Sequence, residues 1–173
     1  MSFRMLSVYG PYRIPFERHS TSRKRKMILA EHGRMFWEKL KDKQILKKQG
    51  CYVFALQAGR GATPWYVGKS GKSFQQECFA SHKLNRYNAA LFAGKQGTPV
   101  LFFVALPGKK SKVAVRVIND IETYLIQTAK LANPKLLNKS KSKSPKWGIS
   151  HVVRGGKGKA NRSEGTFCNM LSL

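Results

Sequence analysis

Acidic residues are scarce in this chain. Its 173 residues hold 8 Asp and Glu against 33 Lys and Arg, a formal net charge of +25. The acids are Glu17, Glu31, Glu38, Asp42, Glu77, Asp120, Glu122 and Glu164. A two-metal centre needs several convergent carboxylates. Only Asp120 and Glu122 lie close in sequence, which argues against one. Cysteine is scarce too. Cys51, Cys78 and Cys168 stand too far apart for a CxxC zinc knuckle, and an odd count does not make a disulfide framework. Reduced thiols suit an intracellular, cytoplasmic protein. No run approaches the roughly 20 apolar residues of a membrane span. The opening MSFRMLSVYGPYRIPF lacks the apolar stretch of a signal peptide. A P-loop is missing as well. Gly68-Lys69-Ser70 and Gly71-Lys72-Ser73 look like its end, but the motif requires a glycine five residues before its last one. Thr63 and Tyr66 occupy those positions.

What is present is positive charge and a core. With 42% hydrophobic residues the chain is long enough to fold as one domain with tails. Its excess charge points to a polyanionic partner, nucleic acid before an acidic membrane. Basic residues gather at Arg23 to Lys26, Lys39 to Lys48, Lys109 to Lys112, Lys139 to Lys146 and Arg154 to Lys159. These runs suit contact with a phosphate backbone rather than with bases. Trp65 or Trp147 is placed to stack on a base or to pack in the core.

Periodicity orders the chain. Residues 1–22 read as an irregular arm. Residues 24–48 read as a helix with Leu29, Phe36, Trp37 and Leu40 on one stripe, weakened by Gly33 and ended by Gly50. Cys51 to Leu56 and Trp65 to Gly68 read as strands of a hairpin. Ser73-x-x-Gln76 matches a capping box, so a helix starts near Phe74 and runs toward Ala90. Pro99 to Leu106 reads as a central strand. Residues 113–132 read as a helix with Val117, Ile118, Ile121, Leu125 and Ala129 inward, ended by Asn133-Pro134. A low-complexity basic linker follows from 139, then a tail with a strand at Ile149 to Val153. The sum is an α+β fold, a three-stranded antiparallel sheet flanked by helices. It divides into a basic N-terminal arm and helix (1–49), a core (50–138) and a basic tail (139–173).

The hairpin opens on Gly50-Cys51-Tyr52 and closes on Tyr66-Val67-Gly68. A helix, a third apolar strand, a helical Glu122 and, after a proline turn, Asn138 follow in order. This ordered set resembles the GIY-YIG nuclease superfamily over residues 50–138, with Cys51 and Val67 where the family usually has Ile. The resemblance implies hydrolysis of phosphodiesters at one divalent ion, Mg²⁺ or Mn²⁺, held by Glu122. A single-carboxylate site suits an ion that keeps several waters. On this reading Tyr52 orients or deprotonates the attacking water, and Tyr66 hydrogen-bonds the phosphate or the water. Asn138 orients Glu122 or the substrate backbone. His82 serves as acid or base. The family's helix arginine is replaced near its usual place by Gln76 and Glu77. The basic substitutes are Lys83, favoured here, Arg86, and Lys69 or Lys72.

Each of these residues also has a plain structural reading: core tyrosines, a solvated Glu122, a turn-capping Asn138. The expected function is a metal-dependent endonuclease of DNA, favoured over RNA only through the resemblance. The alternatives are a degenerate domain that binds nucleic acid without cutting, and a basic structural protein.

Overall fold

The structure is a computed structural model, and it describes residues 5–19, 22–94, 96–108, 112–143, 159 and 161–171. The chain forms two units, Met1–Ser142 and Lys143–Leu173. In the first, the elements are β1 (Ser7–Arg13), β2 (Glu17–His19), β3 (Ser22–Met27), α1 (Ala30–Lys39), a 3₁₀ turn (Lys43–Lys47), β4 (Gly50–Ala58), β5 (Gly61–Ser70), α2 (Phe74–Glu77), α3 (Ser81–Gly94), β6 (Thr98–Ala105) and α4 (Val115–Ala132). In the second unit the described element is α5 (Arg162–Leu171).

The fold is α+β, but its main sheet has four strands, not three. The order is β1-β6-β4-β5, every pair antiparallel, beside a separate β2-β3 ribbon. The fourth strand comes from the N-terminal arm. Ser7 to Tyr9 and Tyr12 to Arg13 pair with β6, and the register shifts between Tyr9 and Tyr12, around Gly10-Pro11. The arm is therefore part of the first unit rather than an appendage. Proline, glycine and aromatics hid the strand, because a bulge interrupts the alternation that marks one.

The long helix expected over 24–48 is three elements. The basic run at its start pairs as β3 with β2, and only Ala30–Lys39 is α-helical. At the start of α1 the Leu29 N–H donates to His32 Nδ1 at 2.9 Å. Gly33 is forced by contact: a Cβ there would lie 2.7 Å from the Phe79 ring. The helix expected from Phe74 to Ala90 is broken after Glu77. Its N-cap bond forms, with Ser73 Oγ accepting from Gln76 N, but Tyr87 Oη donates to the Cys78 carbonyl at 2.7 Å. That side-chain bond claims an acceptor an unbroken helix would use. On α4 the buried residues are Ile118, Ile126 and Ala129. Val117, expected inward, is exposed. The expected strand at Ile149 to Val153, Trp147, and most of the Lys109 to Lys112 and Arg154 to Lys159 runs lie outside the described residues.

β4 reads as an unbroken apolar run because both its faces are covered. Tyr52, Phe54 and Leu56 join Phe36, Trp37, Phe74, Tyr87 and Phe103 in one cluster, with Phe79 and Tyr66 packed against it. Phe54 and Tyr87 stack with ring centroids 4.3 Å apart. On the opposite face Val53 packs with Val67, Ile126, Ala129 and Leu136 beneath α4. Both glycines of the two triads are set by this close approach. A Cβ on Gly50, whose φ is +149°, would run into the Val104 carbonyl, and one on Gly68 would enter the Tyr52 ring. Gly68→Ala should therefore cost about 3 kcal/mol, the upper end of overpacking penalties, read as a fall in the urea midpoint at unchanged m-value.

Candidate functional site

β5 is an edge strand, and its outer backbone is met by the chain leaving α4. Asn133 Nδ2 donates to the Pro64 carbonyl at 2.8 Å, and Leu137 N donates to the Trp65 carbonyl at 2.9 Å. Asn138 then binds both backbone groups of Val67, accepting from N at 2.9 Å and donating to O at 2.8 Å. A side-chain amide thus does what a neighbouring strand would do. It holds the residue at the centre of Tyr66-Val67-Gly68.

This stitching makes a cleft of about 530 Å³ with walls from α3, α4 and the segment after α4. Tyr66, His82, Arg86, Glu122 and Asn138 line it, with Asn85, Lys139 and Ser140. Four of the six residues expected in a site therefore face one volume. His82 and Arg86 stand four apart on α3, on one helix face. Arg86, ranked behind Lys83 from the sequence, is the arginine on the wall.

Lys83 and Tyr52 lie elsewhere. Lys83 Nζ donates to Tyr66 Oη at 2.9 Å and lies 5.3 Å from the centre of the Tyr66 ring. Its ammonium thus fixes the hydroxyl and leaves the phenolic proton to be donated onward. Tyr52 is completely buried. Its hydroxyl lies beside that of Tyr87 without reaching good hydrogen-bond geometry. Burial raises its pKa well above the usual 10.0, and Tyr87, Cys78 and Tyr66 add to the effect. The phenolate expected to activate water is, in this structure, a sealed and protonated phenol.

Glu122 is the acid at the cleft. Its carboxylate is mostly buried, and Oε2 takes two ammonium groups, Lys141 at 2.6 Å and Lys69 at 3.2 Å. Lys69 also donates to Asn119 Oδ1 at 2.7 Å. Behind Glu122, Cys51 donates Sγ–H to the Ile118 carbonyl at 3.4 Å. The Cys51 thiol is pushed up to about 12, by burial first and then by the Glu122 charge. The clasp by Lys141 was not visible in sequence, where Lys139 to Lys146 is a uniform run.

The cleft lining offers a divalent ion one carboxylate, that of Glu122. With Oε2 engaged, Oε1 is the remaining carboxylate oxygen, and Mg²⁺ characteristically binds through one or two carboxylates, waters and substrate phosphates. A second cluster does not fit a metal. Glu17, Glu31 and His32 bring ligand atoms within 4.8 Å of one another. His32 Nδ1, however, already accepts the Leu29 N–H, so a neutral ring carries its proton on Nε2 and has no lone pair to offer.

Searches against family models, curated proteins and solved structures find no match to this chain. No helix among the described residues is long and apolar enough to cross a membrane.

Two outcomes test this geometry. Above about pH 9 the unfolded chain loses thiol protons, then phenol protons, while the folded chain keeps those of Cys51, Cys78, Tyr52 and Tyr87. The native state then binds more protons, so stability falls as pH rises, by about 1.4 kcal/mol per pH unit for each group. Tyr52→Phe should remove one proton from that slope. It should also leave stability at neutral pH equal or higher, since a poorly paired buried hydroxyl is lost. Asn138→Ala should cost about 1–3 kcal/mol, because two backbone groups of Val67 lose their partner. Denaturant titrations across pH measure both.

Proposed function

We propose that this chain is a divalent-metal-dependent endonuclease of the GIY-YIG type acting on nucleic acid, with DNA favoured over RNA through the family resemblance. One observation carries the reading. Tyr66, His82, Arg86, Glu122 and Asn138, separated by up to 72 positions in sequence, line one cleft. A surplus of 25 positive charges supplies the sequence-independent attraction to a phosphate backbone.

Arg86 takes the part of the family's arginine. Its planar fork binds two phosphate oxygens at once and offsets the charge that develops on phosphorus, which a lysine does less well. Tyr66, its oxygen held by Lys83, donates its proton to a phosphate oxygen or to the water. His82, exposed at the rim, carries a proton from the attacking water or to the leaving oxygen. Asn138 is a positioning residue that keeps Tyr66 and Gly68 in register through Val67. Tyr52 packs under Gly68 and supports the hairpin from within. Glu122 would hold an Mg²⁺ or Mn²⁺ ion, which would supply Lewis-acid polarisation of the phosphate and make a water more acidic.

Supercoiled plasmid incubated with Mg²⁺, or with EDTA, tests this. Wild type should nick with Mg²⁺ and not with EDTA. Glu122→Ala should abolish nicking, and Arg86→Ala should slow it by about 100–1000-fold, the cost of losing one preorganised charge stabiliser. Both variants should still retard the plasmid on a gel. A retarded but uncut plasmid with wild type would instead establish a binding domain without cleavage. The two lysines on Glu122 favour that second reading.

A further inference from the structure

We propose that Lys141 is an internal counter-ion that occupies Glu122 until a phosphate enters the cleft, so that nucleic-acid binding and metal binding at this site are coupled through one lysine. The proposal rests on the nuclease reading above and adds a regulation to it.

Three observations meet at this residue. Lys141 Nζ lies 2.6 Å from Glu122 Oε2, the shorter of the two ion pairs there. Its backbone has φ +60°, the one non-glycine residue at positive φ among the described residues. That conformation is disfavoured for L-residues, and such outliers gather at switch and ligand-clamp positions. Lys139 and Ser140, directly before it, lie on the cleft wall, and Ser142 Oγ donates to the Lys139 carbonyl at 3.2 Å. The segment therefore turns tightly enough to deliver an ammonium to the carboxylate.

The two lysines differ in how they are held. Lys69 is shared between Glu122 and Asn119. Among the described residues, Glu122 is the one hydrogen-bonding partner of the Lys141 side chain. Its side chain is 34% exposed, against 13% for Glu122, so the ammonium can leave while the carboxylate stays.

Charge then sets the order of events. A divalent ion approaching Glu122 in an empty cleft meets two ammonium groups on the same oxygen. A backbone phosphate entering beside them offers Lys141 an equivalent charge-assisted partner. When Lys141 moves to it, the carboxylate becomes more available to the metal. The coupling must be reciprocal: whatever factor nucleic acid adds to metal affinity, metal adds to nucleic-acid affinity.

The test is Mn²⁺ binding by full-length protein, followed by electron paramagnetic resonance with and without a short phosphorothioate DNA duplex. Duplex affinity is measured with and without Mn²⁺ by fluorescence anisotropy. Lys141→Asn removes the charge and keeps a residue that tolerates the left-handed backbone. For wild type the duplex should tighten Mn²⁺ binding by about fivefold or more, the lower end of coupling between sites, and Mn²⁺ should tighten duplex binding by the same factor. Lys141→Asn should bind Mn²⁺ more tightly than wild type without duplex and lose most of the coupling. Equal Mn²⁺ affinity in the two proteins with unchanged coupling would overturn the role of Lys141 and leave the nuclease reading standing. Mn²⁺ binding that survives Glu122→Gln would overturn the nuclease reading itself.

Discussion

The cleft depends on how one exposed backbone is satisfied. β5 ends the sheet, and the N–H and C=O of Val67 face outward, where a further strand would otherwise pair. The Asn138 amide takes both. Because that amide arrives on the segment leaving α4, satisfying the edge also fixes where α4 must end and where its continuation must run. α3 covers one face of the sheet and α4 the other, so their walls meet only beyond the edge of β5. The Asn138 contact therefore determines that Arg86 and Glu122, from opposite faces, look into the same space.

Burial and charge are divided across the same hairpin. On the face toward α3, Tyr52 fills the room left by Gly68 and is shut away from solvent. On the face toward α4, Lys69 follows Gly68 by one residue and reaches Glu122. Alternation along a strand thus places an aromatic support and an ionic contact one position apart. Cys51 belongs to the ionic side. A small thiol hydrogen-bonded to the Ile118 carbonyl brings α4 close at the turn preceding Glu122.

Much of this was legible from residue order. The apolar runs at 51–56 and 99–106 are strands; both faces of the first are covered, as continuous hydrophobicity reports, while the second alternates at its end between buried Leu101, Phe103 and Ala105 and half-buried Phe102 and Val104. The Asn133-Pro134 stop of α4 and the Ser73 cap are local signals and appear where they were read. The N-terminal strand was not legible, since its partner lies some 90 residues away and its own pattern is broken at Gly10-Pro11. The polar side of the expected helix at 24–48 misled for a related reason: a run of Lys and Arg has no periodicity, so it is equally compatible with an exposed ribbon. Tyr66, His82, Glu122 and Asn138, read together from their order, line one cleft, while Tyr52 and Lys83 do not. Nothing in sequence distinguishes a tyrosine that lines a cleft from one sealed under a glycine, or Arg86 on the wall from Lys83 on a hydroxyl. Those distinctions are set by which face each residue turns toward, and long-range contacts decide that.

The opposite edge of the sheet is guarded in another way. β1 carries Pro11, which has no N–H to give, and its register breaks between Tyr9 and Tyr12. Both ends of the sheet therefore resist the addition of another strand. This matters most when the protein is not alone. Self-repulsion at a charge of +25 keeps free copies apart, and a polyanion removes that protection by neutralising them. Copies crowded along such a polymer would meet at high local concentration with their charge screened. The blunted edges then let them sit side by side without growing into cross-β aggregates.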